Sequence, residues 1–393
     1  MLSVRWALSR LPTFSRCLQP IRNVSHGLHS SSISAKGLKI LFCGSDNFSV
    51  QSLKALIELK NAAPNKPVES IDVLVKQEKP SGRGLKAQRV NPVQVLAKEH
   101  DLPYHELNTS IDKWKLPGPT DLIIAVSFGA FIPKTLIEKS RYGGLNVHPS
   151  FLPKYRGAAP VQHALINGDP STGVVVQTLD VEKFDRGKIL AKSDPVNIKI
   201  DETKYPSPTL YNDLLQTLGE EGGKLLAAVI NNGLYDPKKH ASLTVSTGEK
   251  SSLASRLPTT ASLIQFGKMT GRRAFRLGLV FGHLYCFRQK VKYLRRGITS
   301  VPPARTIMGP LRMPTAIEFD RYLREAPADK QWVYIPSPQI TKKDRGGLAL
   351  QVSEGEWVIV KYLTVEGRNR RDAMSWADIV DPTDVGFVST QSV

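Results

Sequence analysis

Cysteine is nearly missing from this chain of 393 residues, and its three copies, Cys17, Cys43 and Cys286, lie far apart. With no C-x-x-C pair, a disulfide framework is excluded and a structural zinc site has no ligand set to build on. Cys43 sits inside an apolar run and reads as a small core residue rather than a nucleophile. No stretch approaches the roughly 20 apolar residues of a membrane span. The fingerprint G-x-G-x-x-G is also missing after the first predicted strand, so no dinucleotide cofactor is expected. Acid is short in particular places. The first Asp or Glu is Asp46, and none occurs from Lys250 to Ile317, a block that holds thirteen Lys or Arg. The formal net charge is +19. Such an excess speaks of partners rather than of fold, and polyanions come first. An anionic membrane surface is the rival partner, but no long basic amphipathic helix stands out.

What is present divides the chain. Residues 1–36 carry Arg5, Arg10, Arg16, Arg22 and Lys36, no acid, and Ser30, Ser31 and Ser32 in a row. That composition predicts a mitochondrial transit peptide and a matrix location, with a disordered basic tail as the plainer alternative. The remaining length suits two domains. From residue 37 short apolar strands alternate with helical patterns: GLKILFC, a turn with Asp46 or Asn47 as helix cap, a helix through Lys60, and a strand at Ile71–Val75. A helix follows over Pro92–His100 and an edge strand over Leu102–Leu107. Asp121–Phe128 (DLIIAVSF) is apolar on both faces, as a central parallel strand requires. Gly144–His148, Thr172–Leu179 and Ile189–Ile198 add strands, Val161–Ile166 and Thr209–Asn231 helices. The predicted architecture is α/β: a Rossmann-like, mostly parallel sheet over 37–232, a polar linker over 233–257, and a smaller β-rich domain of barrel type over 258–393.

Two segments offer positive charge to a ligand. Lys76–Asn91 is a polar loop with five basic residues against one acid, and its Ser81-Gly82-Arg83-Gly84 core lets backbone come close to a bound group. A solvated surface loop would have the same composition. In the basic block, Arg272-Arg273, Lys290, Lys292 and Arg295-Arg296 are interleaved with Phe275, Phe281, Tyr285, Phe287 and Tyr293.

Chemistry concentrates in GGLNVHPSFLPKYRGAAP, Gly143 to Pro160. Strand side chains alternate faces, so Asn146 and His148 point the same way. An amide N–H and an imidazolium N–H side by side can both donate to one oxyanion, the need of a tetrahedral acyl-transfer intermediate. Asp185, in the turn Phe184–Gly187, is a carboxylate able to orient the imidazole. No Ser or Cys nucleophile is needed if the acceptor is itself an amine. Taken singly, a His at a strand end is more often structural, and an Asp in a turn is more often a turn residue.

The motifs together resemble the folate-dependent formyltransferase family. The matching residues are Phe42-Cys43-Gly44-Ser45 with Phe48, Asn146 and His148, Ser150-Phe151-Leu152-Pro153, Arg156-Gly157-Ala158-Ala159-Pro160, and Asp185-Arg186-Gly187. The resemblance covers about residues 37–200 and is weak beyond roughly 260. It implies 10-formyltetrahydrofolate as co-substrate, no metal, and catalysis by Asn146, His148 and Asp185. It places the folate near Phe128, Gly129, Ser150, Phe151, Leu152 and Pro153. Within the family, the Ser81–Gly84 loop and the basic second half point to members that formylate methionyl-initiator tRNA in mitochondria. By that similarity Arg83 and Lys86 reach the acceptor end, while Arg272, Arg273, Lys290, Lys292, Arg295 and Arg296 contact the tRNA body. A monomer without membrane attachment is expected. Two other readings use part of the same features: formyl transfer or hydrolysis on a small amine, and a non-catalytic mitochondrial RNA-binding protein.

Overall fold

A computed structural model describes residues 37–62, 64, 66–77, 90–108, 110–241, 243, 245–294, 297–326, 331–337, 346–365, 369–372 and 387–388; for 288–304, 372 and 387–388 it describes the backbone alone. The residues read as a transit peptide lie outside this set, as do Arg83, Lys86, Arg295 and Arg296.

Strand β1 (Leu38–Gly44) leads into helix α1 (Asn47–Asn61) through Asp46. The Asp46 side chain accepts from the Ser49 amide at 2.9 Å, and the Ser49 hydroxyl accepts from the Asp46 amide at 2.9 Å. This reciprocal cap satisfies two amides that the first helical turn would otherwise leave unpaired. β2 (Val68–Lys76), α2 (Pro92–Glu99) and β3 (Tyr104–Leu107) follow, then β4 (Leu122–Val126), α3 (Lys134–Ile137) and β5 (Gly144–His148). All five residues of β4 are buried, as befits a strand covered on both faces. After β5 come α4 (Pro160–Asn167), β6 (Ser171–Thr172), β7 (Val175–Thr178), β8 (Ile189–Lys192), β9 (Val196–Asn197) and the long helix α5 (Leu210–Asn231).

The first sheet has the order β3-β2-β1-β4-β5-β7-β8. Its first five members pair in parallel, and β7 and β8 add on antiparallel. From β1 the chain winds outward to β2 and β3, then returns to β4 on β1's other side. That reversal is the switch point where open α/β sheets bind ligands at their carboxyl ends. One face packs against α1 and α5 through Phe42, Phe48, Leu53, Leu56, Leu226 and Val229; on the other, Leu41, Leu74 and Ile123 of the strands cluster with Phe128 and Ile132.

Two predicted strands are broken in the structure. Thr172–Leu179 divides into β6 and β7, and Ile189–Ile198 into β8 and β9, with β6 and β9 paired as a separate ribbon. Gly173 lies under the Phe151 ring, where a Cβ would come within 2.1 Å of it, and Pro195 has no amide with which to continue β8.

The second half begins with α6 (Gly271–Phe281), capped by the Thr270 hydroxyl. Its strands are β10 (Leu284–Leu294), β11 (Gly297–Arg312), β12 (Trp332–Pro336), β13 (Gly346–Ser353) and β14 (Glu356–Val365), with short β15 (Arg371–Asp372) and β16 (Phe387–Val388). They form one antiparallel sheet in the order β12-β13-β14-β11-β10-β16, with β15 on β14. Among the described residues its edges β12 and β16 are not paired with each other. Ala274 and Leu277 of α6 pack on Leu284, Met308, Leu311 and Val360, and Ile166 of α4 joins that core. Among the described residues no helix is long and apolar enough to cross a membrane.

Candidate active site

A cleft of about 490 Å³ opens at the carboxyl ends of β1, β4 and β5. Its volume is that of a small-molecule site. Asn146 and His148 project into it from β5, and Asp185 enters from the turn between β7 and β8. Asp185 adopts φ +53°, the left-handed region that non-glycine residues rarely occupy. The turn is shaped at its start by Asp180, whose carboxylate accepts from the amides of Glu182 and Lys183, both at 2.8 Å. Those two amides hold the Asp180 carboxyl below its ordinary range. At its end the backbone at Gly187 runs so close to Thr178 that a Cβ would lie 1.7 Å from the Thr178 carbonyl oxygen.

The Asp185 carboxylate is the hub. Its Oδ1 accepts from Asn146 Nδ2 at 3.1 Å and from Gln177 Nε2 at 3.2 Å, while Oδ2 accepts from the Gly157 amide at 2.8 Å. His148 Nδ1 stands 3.5 Å from the same Oδ1. The side chains of His148 and Asp185 are only 6% and 7% exposed, so solvent screens this contact little. On its other side His148 Nε2 meets the Tyr155 carbonyl at 2.9 Å. A carbonyl oxygen only accepts, so Nε2 carries a hydrogen, and Nδ1 is the nitrogen left to face Asp185 and the cleft. A carboxylate likewise fixes the amide flips: Asn146 and Gln177 must turn their NH₂ groups toward it.

Asp185, expected to orient His148, stands 3.5 Å from Nδ1, longer than the 2.9 Å contact at Nε2. Tyr155, a residue without a predicted role, supplies the shorter bond through its backbone. Gln177 was also missed. It lies directly across from Asn146 in the β5–β7 ladder and is 1% exposed, and its Oε1 has no hydrogen-bond partner among the described residues. A Gln set into the run VVVQTL was the signal available. An unsatisfied buried acceptor beside a cleft is a place for a ligand's N–H.

Of the six residues placed at the folate by resemblance, Phe128 and Gly129 line the cleft. Ser150, Phe151, Leu152 and Pro153 do not, and the reason is the loop's own folding. Ser150 is buried with its hydroxyl on the Lys154 carbonyl, and Phe151 packs over Gly173. The Leu152 carbonyl accepts from Thr247, and the Pro153 carbonyl from the Ser252 amide. These four residues form the back of the loop. The cleft lining comes instead from Phe131, Ile132, Gln177, Thr178, Leu179 and Phe184. Phe131 and Phe184 meet edge to face at 5.0 Å, with Phe184 58% exposed. At the α1 end of the cleft Asp46 faces Tyr211. Burial raises the Asp46 carboxyl above its ordinary value, against the bonds it accepts from Ser49 and Ser127. Burial and the Asp46 charge together push the Tyr211 hydroxyl up to about 12.

The cleft gathers no cysteine. Cys43 and Cys286 are buried in the two cores, and burial alone pushes both thiols well up. No group of His, Cys, Asp and Glu is gathered for a metal among the described residues. Of the basic residues assigned to RNA, Lys290 and Lys292 lie on β10, where the backbone alone is described. Arg272 donates to Glu202 at 2.9 Å, and Arg276 to the other oxygen of the same carboxylate at 3.2 Å. Arg273 is exposed on the first turn of α6 with no side-chain partner among the described residues.

Residues 38–221 match the Formyl transferase family. The mitochondrial methionyl-tRNA formyltransferase of Saccharomyces cerevisiae is 31% identical over 307 residues, 70% of this chain and 75% of that protein. The methionyl-tRNA formyltransferase of Agathobacter rectalis is 38% identical over 192 residues, 48% of this chain and 56% of that one. The chain thus spans three quarters of the yeast protein but less than two thirds of the bacterial one. Among solved structures, a sugar 3N-formyl transferase aligns with 17% identity and a TM-score of 0.46, over 85% of this chain and all of that one.

Proposed function

The chain belongs to the methionyl-tRNA formyltransferase family, and from that premise we propose that it transfers a formyl group from 10-formyltetrahydrofolate to the α-amine of methionyl-initiator tRNA in the mitochondrial matrix. The observation that carries the reading is the Asp185 hub, with Asn146, Gln177 and His148 converging on one carboxylate oxygen beside a cleft of ligand size. The donor fits that cleft: Phe128, Phe131 and Ile132 offer apolar walls, and Gln177 Oε1 is an acceptor awaiting an N–H. When bound it supplies a formyl group on a nitrogen that leaves with a proton.

The chain's own residues do the rest. Asn146 Nδ2 has two hydrogens, and only one is engaged by Asp185; the other meets the oxyanion that develops as the amine attacks. His148 Nδ1–H turns from its 3.5 Å contact with Asp185 to become the second donor. Asp185 holds both donors in place, takes up through water the proton that the amine loses on forming its new C–N bond, and gives it back by the same water to the leaving nitrogen as the old C–N bond breaks. The proposed organisation is a catalytic region over 37–232 and a basic region over 258–393 that carries the tRNA body, the chain acting as a monomer.

The yeast relative's name favours the tRNA acceptor over a small amine. The test is formyl transfer to charged initiator tRNA, with charged elongator methionine tRNA and free methionine as comparators. Rapid formylation of the initiator species is expected. Equal rates on free methionine, or none on tRNA, would refute the acceptor assignment.

A further inference from the structure

Three consecutive residues hold the hub from behind. Tyr155 takes the His148 ring on its carbonyl, the Arg156 side chain donates through Nε to the Asp185 carbonyl at 2.8 Å, and the Gly157 amide donates to the Asp185 carboxylate at 2.8 Å. Nothing in catalysis as described uses Arg156. Tyr155 and Arg156 are in turn fastened to one segment, 251–254, that follows α5 by some twenty residues and precedes α6. The Tyr155 amide donates to Ser252 Oγ at 2.9 Å, and Arg156 Nη1 donates to Ser251 Oγ at 2.7 Å. The backbones pair as a parallel bridge, with the Arg156 amide on the Ser252 carbonyl at 2.9 Å and the Ala254 amide on the Arg156 carbonyl at 2.6 Å. Gly157 lets the segment come this near: at φ +121° a Cβ would lie 2.7 Å from the Ala254 carbonyl oxygen. Tyr155 and Asp185 sit at φ +62° and +53°, conformations that persist where the surroundings over-determine them.

Resting on the formyl-transfer reading, we propose that residues 251–254 form a strap, with Ser252 and Arg156 as positioning residues that set turnover by holding the Tyr155–Gly157 backbone against His148 and Asp185. The guanidinium fork is suited to this, because its planar donors reach two acceptors at once. The strap is the piece of chain that leads into the basic half, so it ties the position of that half to the geometry of the hub.

The test uses the full chain and two changes at one position. Ser252→Ala removes the oxygen that the Tyr155 amide donates to; Ser252→Thr keeps it. Two quantities are read: kcat and KM for charged initiator tRNA at saturating 10-formyltetrahydrofolate, and the NMR signal of the His148 Nε2–H, assigned by its loss in His148→Asn. Ser252→Ala is expected to lower kcat by about tenfold or more, as small misplacements of reacting groups do. KM for tRNA should stay within about twofold, since the lost contact touches no substrate. The His148 signal should shift or broaden, and Ser252→Thr should restore both rate and signal. An unchanged kcat with an unmoved signal, a change in KM alone, or a threonine variant as impaired as the alanine one overturns the strap. Should Ser252→Ala not fold, Arg156→Lys, which cannot span Ser251 and Asp185 together, is read by the same two quantities. Absent formylation by the wild type, with the signal still moving in Ser252→Ala, sinks the acceptor assignment and leaves the strap. Normal wild-type turnover with no effect in the variants does the reverse.

Discussion

The Asp185 carboxylate is surrounded by donors, and two of its four partners were readable from sequence. Asn146 and His148 were legible because strand alternation puts them on one face. The Gly157 amide and the Tyr155 carbonyl were not, because backbone groups belong to every residue type and carry no signature of their use. Asp46 illustrates a second limit. As a helix cap it was readable from its place before an apolar-periodic segment, but its burial beside Tyr211 was not. Because burial raises its carboxyl, the folded protein binds that proton more tightly than the unfolded chain does. Its contribution is therefore most favourable below the ordinary value of 3.8 and is lost as pH rises through the raised one. Asn caps as well as Asp but has no charge to bury. Asp46→Asn is therefore expected to melt at or above the wild-type temperature at pH 7, with the gap closing toward pH 4. Calorimetry at the two pH values checks this, and a variant clearly less stable at pH 7 would contradict it.

Between elements, close approach decides matters that propensity does not show. Helix α5 carries Gly219, Gly222 and Gly223, which a propensity scale counts against it. They face α1 and β5, and a Cβ at Gly223 would lie 2.8 Å from the Gln51 carbonyl oxygen. Gly223→Ala should gain about 1 kcal/mol of helix propensity and lose more through forced separation of α1 from α5. A net loss of about 1–3 kcal/mol in urea unfolding is expected from such overpacking. A stabilised variant would show that the helices can part freely. The same blindness affects the strap. Residues 233–257 read as linker because they are polar and lack periodicity, and only the fold reveals that 251–254 pair with the loop that follows β5. The strands of the first sheet were legible, by contrast, since parallel strands buried on both faces are nearly continuous apolar runs. Where Gly173 and Pro195 break two of them, the cause is a ring packed overhead and a missing amide.

Over the whole molecule, an acid-free block in sequence is not acid-free in space. Glu202, Glu318 and Glu356 reach in from outside Lys250–Ile317 to engage Arg272 and Arg276, Arg312, and the Gly271 amide. Charge counting along the chain cannot see such pairings, so it overstates how much positive surface is available. If the basic half carries tRNA, log affinity should fall linearly with log salt. Replacing Arg273, which has no side-chain partner among the described residues, by Ala is expected to lessen that slope by about one. Arg272→Ala, already answered by Glu202, should change it less. Filter binding over a salt series checks both, and equal slopes for Arg273→Ala and wild type would remove Arg273 from the contact surface. In the mechanism we propose, one carboxylate gathers the groups that transfer the formyl. Asp185→Asn keeps its shape but sets an NH₂ among donors that need an acceptor. Its single-turnover rate on charged initiator tRNA is the most direct measurement: a fall of about 10²–10³ with folate affinity and melting temperature retained is expected, and a rate within a few-fold of wild type would contradict the claim.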